Sequence, residues 1–169
     1  MPKLLILFQA QRPDVAQLAE AAAEGASTVR FAEVDLRRLG DGRSAATDVG
    51  ETNGSRRRTL ERVEDATGYD GIILCASSRD DAASLAGHVG RLDGSLVNKV
   101  GSALTTATGE ERTATLWAAL APVADRGMII VPASFTEPGE PAESARRVGK
   151  RVAEVIGWVT HARSHHHHH

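Results

Sequence analysis

Cysteine is almost missing from this chain. Cys75 stands alone, so no internal disulfide organises the fold. It closes the apolar run Gly71-Ile72-Ile73-Leu74, where a free thiol reads as a small buried residue. An excess of either charge is missing too. The net charge is −2, which gives nucleic acid or an anionic membrane no reason to bind. Long hydrophobic runs are missing: stretches such as Gly127 to Ala133 are far too short to span a bilayer. No charged-apolar-small leader pattern opens the chain, and the expected location is cytoplasmic. Outside the C-terminal histidine run only His88 and His161 occur. Neither has an evident serine or cysteine partner, and no metal-ligand spacing is present.

What is present is a regular alternation. Short apolar runs read as strands over Lys3–Phe8, Val29–Leu36, Gly71–Ala76, Lys99–Thr105 and Gly127–Pro132. The second differs: Val29, Phe31, Val34 and Leu36 alternate with Arg30, Glu33 and Asp35, which predicts a sheet edge. Helical patterns fall between them, over Val15–Gly25, Arg56–Ala66, Asp81–Leu92, Glu111–Ala124 and Ala142–Val159. The first is alanine-rich, with Asp14 its expected N-cap and Gly25 its C-cap. The alternation predicts an α/β fold with a five-stranded parallel sheet in the order 2-1-3-4-5. Gly40 to Ser55 carries turn residues only. It predicts a flexible loop, either a lid over the site or plain surface. One domain is expected over residues 1–163, with 164–169 an expression tag.

In such a sheet the ligand crevice lies beyond the carboxyl ends of the first and third strands. Three loops meet there. The first, Gln9 to Asp14, has no Gly, Ser or Thr, and Ala10 is its one small residue. Pro13 removes an N–H donor. Asp14 puts negative charge where an anion has to sit, or caps the helix instead. Arg12 reads as an anion clamp or as a solvated surface arginine. The second loop, Ser77-Ser78-Arg79-Asp80-Asp81, reads equally as binding or capping. The third, Thr105-Thr106-Ala107-Thr108-Gly109, offers hydroxyls to a polar ring or phosphate, or Thr108 as an N-cap. A response-regulator receiver needs acids ending the first strand, an aspartate ending the third and a lysine ending the fifth. Gln9, Ala76–Ser77 and Ala133 stand there, which excludes it.

Several segments, in order, are similar to one family. They are Ala21-Ala22-Ala23-Glu24-Gly25-Ala26, Tyr69-Asp70-Gly71-Ile72-Ile73 with Ser77-Ser78-Arg79, and Leu92-Asp93-Gly94-Ser95-Leu96. Asn98-Lys99-Val100-Gly101-Ser102, Trp117 and Gly127-Met128-Ile129-Ile130-Val131-Pro132 follow. From about residue 3 to 159 the chain resembles the flavodoxin-like superfamily, most closely the WrbA-type NAD(P)H:quinone oxidoreductases. The resemblance implies a flavodoxin-like three-layer sandwich and non-covalent FMN. It also implies two-electron transfer from NAD(P)H to quinone, and a homo-oligomer. The implied FMN site comprises Ala10, Gln11, Arg12, Pro13, Asp14, Val15, Ser77, Ser78, Arg79, Thr105, Thr106, Ala107, Thr108 and Gly109. No catalytic side chain and no metal ligand is implied.

Departures are concentrated at the phosphate. The family's Ser-x-x-Gly-x-x-x-Thr loop falls on Ala10, Pro13 and Gln17. An aromatic-glycine pair falls on Asp80-Asp81 and a tryptophan on Val97. The glycine-rich run after the fourth strand shortens to Ala107-Thr108-Gly109, and the loop after the fifth to Ala133–Pro141. Each lost hydrogen bond to a dianion is worth about 1.5–3 kcal/mol, and stacking surface is lost as well. Two outcomes stay open. One is an FMN-dependent oxidoreductase with an atypical phosphate loop. The other is a cofactor-free relative serving binding or assembly.

Overall fold

Strand β1 (Lys3–Gln9) is apolar on both sides because both sides are covered. Leu4, Ile6 and Phe8 join one core with helices α1 (Pro13–Ala26) and α4 (Pro141–His166). Leu5 and Leu7 join a second core with α2 (Arg79–Arg91) and α3 (Gly109–Asp125). The result is a three-layer α/β/α arrangement. The computed structural model describes residues 2–9, 12–39, 48–52, 54–60, 63, 65–132 and 140–166.

The sheet is not the five-stranded one expected. Among the described residues it has seven strands in the order β3-β4-β2-β1-β5-β6-β7. These are β2 (Glu33–Leu39), β3 (Asp48–Thr52), β4 (Ser55–Leu60), β5 (Gly71–Ala76), β6 (Val100–Thr105) and β7 (Ile129–Ile130), with β1 between β2 and β5. Only β3 runs antiparallel. The six parallel strands alone follow 3-2-1-4-5-6. The expected order 2-1-3-4-5 omitted the strand beyond β2. The reversal between β1 and β5 is unaffected, so the crevice of an open parallel sheet stays at the same place.

Two expectations fail together at that edge. Arg56–Ala66 does not open a helix, and β2 is not an edge strand. Parallel pairing sets Asp35 opposite Arg58. The Arg58 guanidinium donates to both oxygens of Asp35, at 3.0 and 2.9 Å. The Tyr69 hydroxyl donates to the same carboxylate at 2.6 Å. Asp35 is 1% exposed. A buried carboxylate is tolerable only with such partners, and they lie in β4 and before β5. Burial, with the bond to Asp35, pushes the Tyr69 phenol well above its ordinary range, so it stays a donor. On the opposite face Arg57 pairs with Glu20 of α1. The Ser55 hydroxyl donates to the Val29 carbonyl at 2.6 Å and accepts from Ala32 N–H at 3.2 Å. These tertiary bonds override helix propensity. Of the loop expected over 40–55, residues 48–52 are strand; 40–47 lie outside the described residues.

Helix α1 corrects both expected caps. Pro13 takes its first position, so the N-cap place falls to Arg12, which makes no side-chain cap bond. Gly25 lies inside the helix and Ser27 ends it. The reason is contact with α4: a Cβ at Gly25 would sit 1.9 Å from the Arg146 carbonyl oxygen. Gly149 is the reciprocal case, 1.9 Å from the carbonyl oxygen of Ala22. Gly149→Ala is expected to lower stability by about 3 kcal/mol through overpacking, measured by urea unfolding. An unchanged midpoint would show that the two helices separate freely.

Candidate functional site

A cavity of about 480 Å³ opens where three helices begin. Asp14, Gln17 and Leu18 of α1 line one wall. Thr105, the last residue of β6, and Thr106 to Thr108 line another, backed by Arg112 of α3. Glu140, Pro141 and Ala142 at the start of α4 close the third. The size suits a small organic ligand. Since α1 follows β1 and α3 follows β6, the cavity lies at the carboxyl end of the sheet, where such folds bind ligands.

Arg112 supplies buried positive charge. It is 4% exposed, and its Nη1 donates to the Thr105 carbonyl at 3.3 Å. The Thr105 hydroxyl accepts from the Ala107 N–H at 3.0 Å and closes the turn. Thr108 holds the N-cap place of α3 without a side-chain cap bond. Negative charge stands across the cavity. Asp14 accepts from the Val15 N–H at 3.0 Å. Glu140 accepts from Ala142 N–H at 3.2 Å and from Glu143 N–H at 2.8 Å.

The expected site residues divide. Asp14, Thr105, Thr106, Ala107 and Thr108 meet at this cavity. Arg12 and Pro13 are exposed at the start of α1 but do not line it, and Val15 is buried in the α1–α4 core. Ala10 and Gln11 lie outside the described residues. The second loop is occupied by capping. Ser78 accepts from Asp81 N–H at 3.2 Å, and Ser77 donates to the Asp81 carboxylate. Arg79 pairs with Glu111 at 3.3 Å, both mostly exposed, a contact worth little. Gly109 opens α3 with φ +60.

Arg112 and the α4 end were not anticipated. A signal for Arg112 existed. It falls in register with Thr115, Leu116, Ala119, Leu120 and Val123, the buried stripe of α3, so it is a cation on an apolar face. That Glu140 meets Asp14 across a cavity is tertiary information with no local trace.

Among the described residues, a phosphate cradle does not fit the starts of α1 and α4. Such a cradle needs free N–H groups at a helix start. Pro13 and Pro141 have no N–H. At α4 the next two donors, the Ala142 and Glu143 N–H groups, go to the chain's own Glu140 carboxylate, and at α1 the Val15 N–H goes to Asp14. Among the described residues no group of His, Cys, Asp and Glu could hold a metal ion, and no helix is long and apolar enough to cross a membrane.

No family model matches the sequence. The chain is 33% identical over 151 residues to an NAD(P)H dehydrogenase (quinone) of Acidithiobacillus ferrooxidans, covering 81% of this chain and 74% of that one. A protein of the same name in Cupriavidus metallidurans is 33% identical over 152 residues, covering 83% and 75%. Among solved structures, an archaeal flavodoxin superposes with TM-score 0.56 at 12% identity, covering 92% of this chain and 99% of the other. A flavone reductase superposes with TM-score 0.52 at 16% identity, covering 95% and 65%. Likeness at these identities speaks for the fold.

Two reactive side chains lie away from the cavity. Cys75 is fully buried in β5, and burial pushes its thiol well above the ordinary range, so it is no nucleophile. Native protein is expected to resist thiol-labelling reagents until it is unfolded; fast labelling of the folded chain would overturn this. The pKa of His88 in α2 is lowered by burial and by nearby Arg91 and Arg37. The folded state then binds fewer protons than the unfolded one near and below 6.5, the ordinary value. Its contribution to stability is present above that pH and lost as pH falls. His88→Gln is expected to flatten the pH dependence of urea unfolding between about pH 5 and 7.

Proposed function

The chain belongs to the flavodoxin-like, WrbA-type NAD(P)H dehydrogenase (quinone) family, and from that premise we propose that it serves electron transfer from NAD(P)H to quinones, with a flavin held in this crevice. The observation that carries the reading is the cavity of about 480 Å³ at the carboxyl end of β6, lined by Thr105, Thr106 and Thr108 and backed by Arg112. A bound flavin supplies the redox chemistry, and the protein supplies orientation and electrostatics. The threonine hydroxyls offer donors and acceptors to a polar ring edge. Buried Arg112 places a guanidinium in that wall.

FMN is the cofactor that the family relation implies, and its phosphate is the part that does not fit. Two wall positions carry carboxylates, Asp14 and Glu140, where a dianion needs donors. That observation favours a second reading, a cofactor-free relative acting in binding or assembly. Homo-oligomerisation is part of the proposal. Val97, Trp117 and Trp158 are each more than half exposed and offer apolar contact surface. A cytoplasmic setting is proposed with it.

The test begins with an absorbance spectrum of the purified protein. Titration with FMN and with riboflavin follows, then NAD(P)H oxidation by a quinone. A flavin band, or saturable uptake of either flavin, is expected together with quinone-dependent NAD(P)H oxidation. A colourless protein that takes up neither at saturating concentration sinks the oxidoreductase reading and leaves the binding module.

A further inference from the structure

We propose that this cavity discriminates between flavins by their phosphate: it takes the uncharged flavin nucleoside, riboflavin, in preference to FMN, and Asp14 with Glu140 sets the preference. The inference rests on the proposal that the cavity is a flavin site. It specifies which chemical form enters.

Three helix starts converge on the cavity, from α1, α3 and α4. Helix starts attract anions through unpaired N–H groups and the positive end of the dipole. Here two of the three are answered from within. Pro13 and Pro141 occupy the first helical positions and carry no donor. Asp14 accepts the Val15 N–H at 3.0 Å. Glu140 accepts two N–H groups, of Ala142 at 3.2 Å and Glu143 at 2.8 Å. Each carboxylate takes a helix-start N–H that a phosphate would otherwise use.

A phosphate monoester near neutral pH carries a charge of about −1.5 to −2. Entering a cavity that two carboxylates line, it meets like charge. Arg112 lies in the same wall, but it is 4% exposed and already donates to the Thr105 carbonyl. Asp14 and Glu140 are both exposed, so they meet an incoming ligand first. A carboxylate is an acceptor only. It suits a terminal hydroxyl, which donates, and repels a phosphate, which near neutral pH mostly accepts. The lining therefore complements the free hydroxyl end of a polyol chain, with Thr105, Thr106 and Thr108 providing further partners along it.

The test is a pair of flavin-fluorescence titrations of the purified chain, with riboflavin and with FMN, at matched ionic strength. Riboflavin is expected to bind at least tenfold more tightly. Added salt should narrow the gap by screening the carboxylates. In the double variant Asp14→Ser, Glu140→Ser, serine keeps a capping oxygen without the charge, and the affinity for FMN relative to riboflavin should rise at least tenfold. If that variant does not fold, Asp14→Asn alone should shift the ratio in the same direction. Equal or tighter binding of FMN by the parent chain overturns the inference and leaves the flavin function standing. Binding of neither flavin overturns that function and the inference with it. A preference for riboflavin that both variants leave unchanged removes the role of the carboxylates and overturns the inference as stated.

Discussion

Where α1 crosses α4, only backbone fits between them. Gly25 faces the carbonyl of Arg146 and Gly149 faces that of Ala22, each too close for a Cβ. Small residues continue the contact: Ala19, Ala22, Ala23 and Ala26 of α1 are fully buried, as are Ala145 and Ala153 of α4. This contact fixes how the two helices lie against each other. Because α1 and α4 are held against each other on one face of the sheet, their first turns reach the same cavity. Bulkier residues at the crossing would spread the helices and move Asp14 away from Glu140. The alanine-rich composition of α1 is thus less a matter of helix propensity than of distance.

The other side of the molecule rests on a buried carboxylate. Asp35 gathers Arg58 from β4 and Tyr69 from the approach to β5. Its partner Arg58 belongs to a strand that stands where a helix was expected over 56–66. The polar alternation of Arg30, Glu33 and Asp35 was visible in the sequence, and its period was right for a strand from Glu33 on, whereas Val29 to Phe31 lie before β2. What it could not disclose was the neighbour. Polar residues in alternation suit a solvent edge, and they suit equally a strand whose polar face meets an arginine strand. The run Arg56-Arg57-Arg58 held the answer only when set beside Asp35 and Glu20, which are 23 and 37 residues away in sequence. Central strands were legible for the opposite reason. Burial on both faces leaves one composition, and Gly71–Ala76 needed no knowledge of its partners.

The site divides along the same line. Loops after β1 and β6 could be placed at the crevice from topology alone, and Thr105 to Thr108 do line it. The loop after β5 was equally placed by topology, yet its serines are spent on Asp81 and the start of α2. Capping and ligand binding use the same atoms, so local sequence could not choose between them. Arg112 was readable as a charge out of place on an apolar stripe. Glu140 was not, because a glutamate beside a proline at a helix start is ordinary capping chemistry until a second carboxylate faces it.

Self-capping has a consequence for how a ligand couples to folding. A helix start that waits for a phosphate leaves its donors to water until the ligand arrives, and the ligand then stabilises the native state by its full affinity. In this chain the Val15 donor at the start of α1 and the Ala142 and Glu143 donors at the start of α4 are bonded by the chain's own carboxylates. The fold therefore does not depend on a bound anion for those bonds. The same carboxylates that make the scaffold independent also set the charge of the cavity mouth. Self-capped helix starts and selection against a phosphate are then one arrangement of atoms. A change that restores a phosphate cradle has to reopen the helix starts, and it gives up some of that independence.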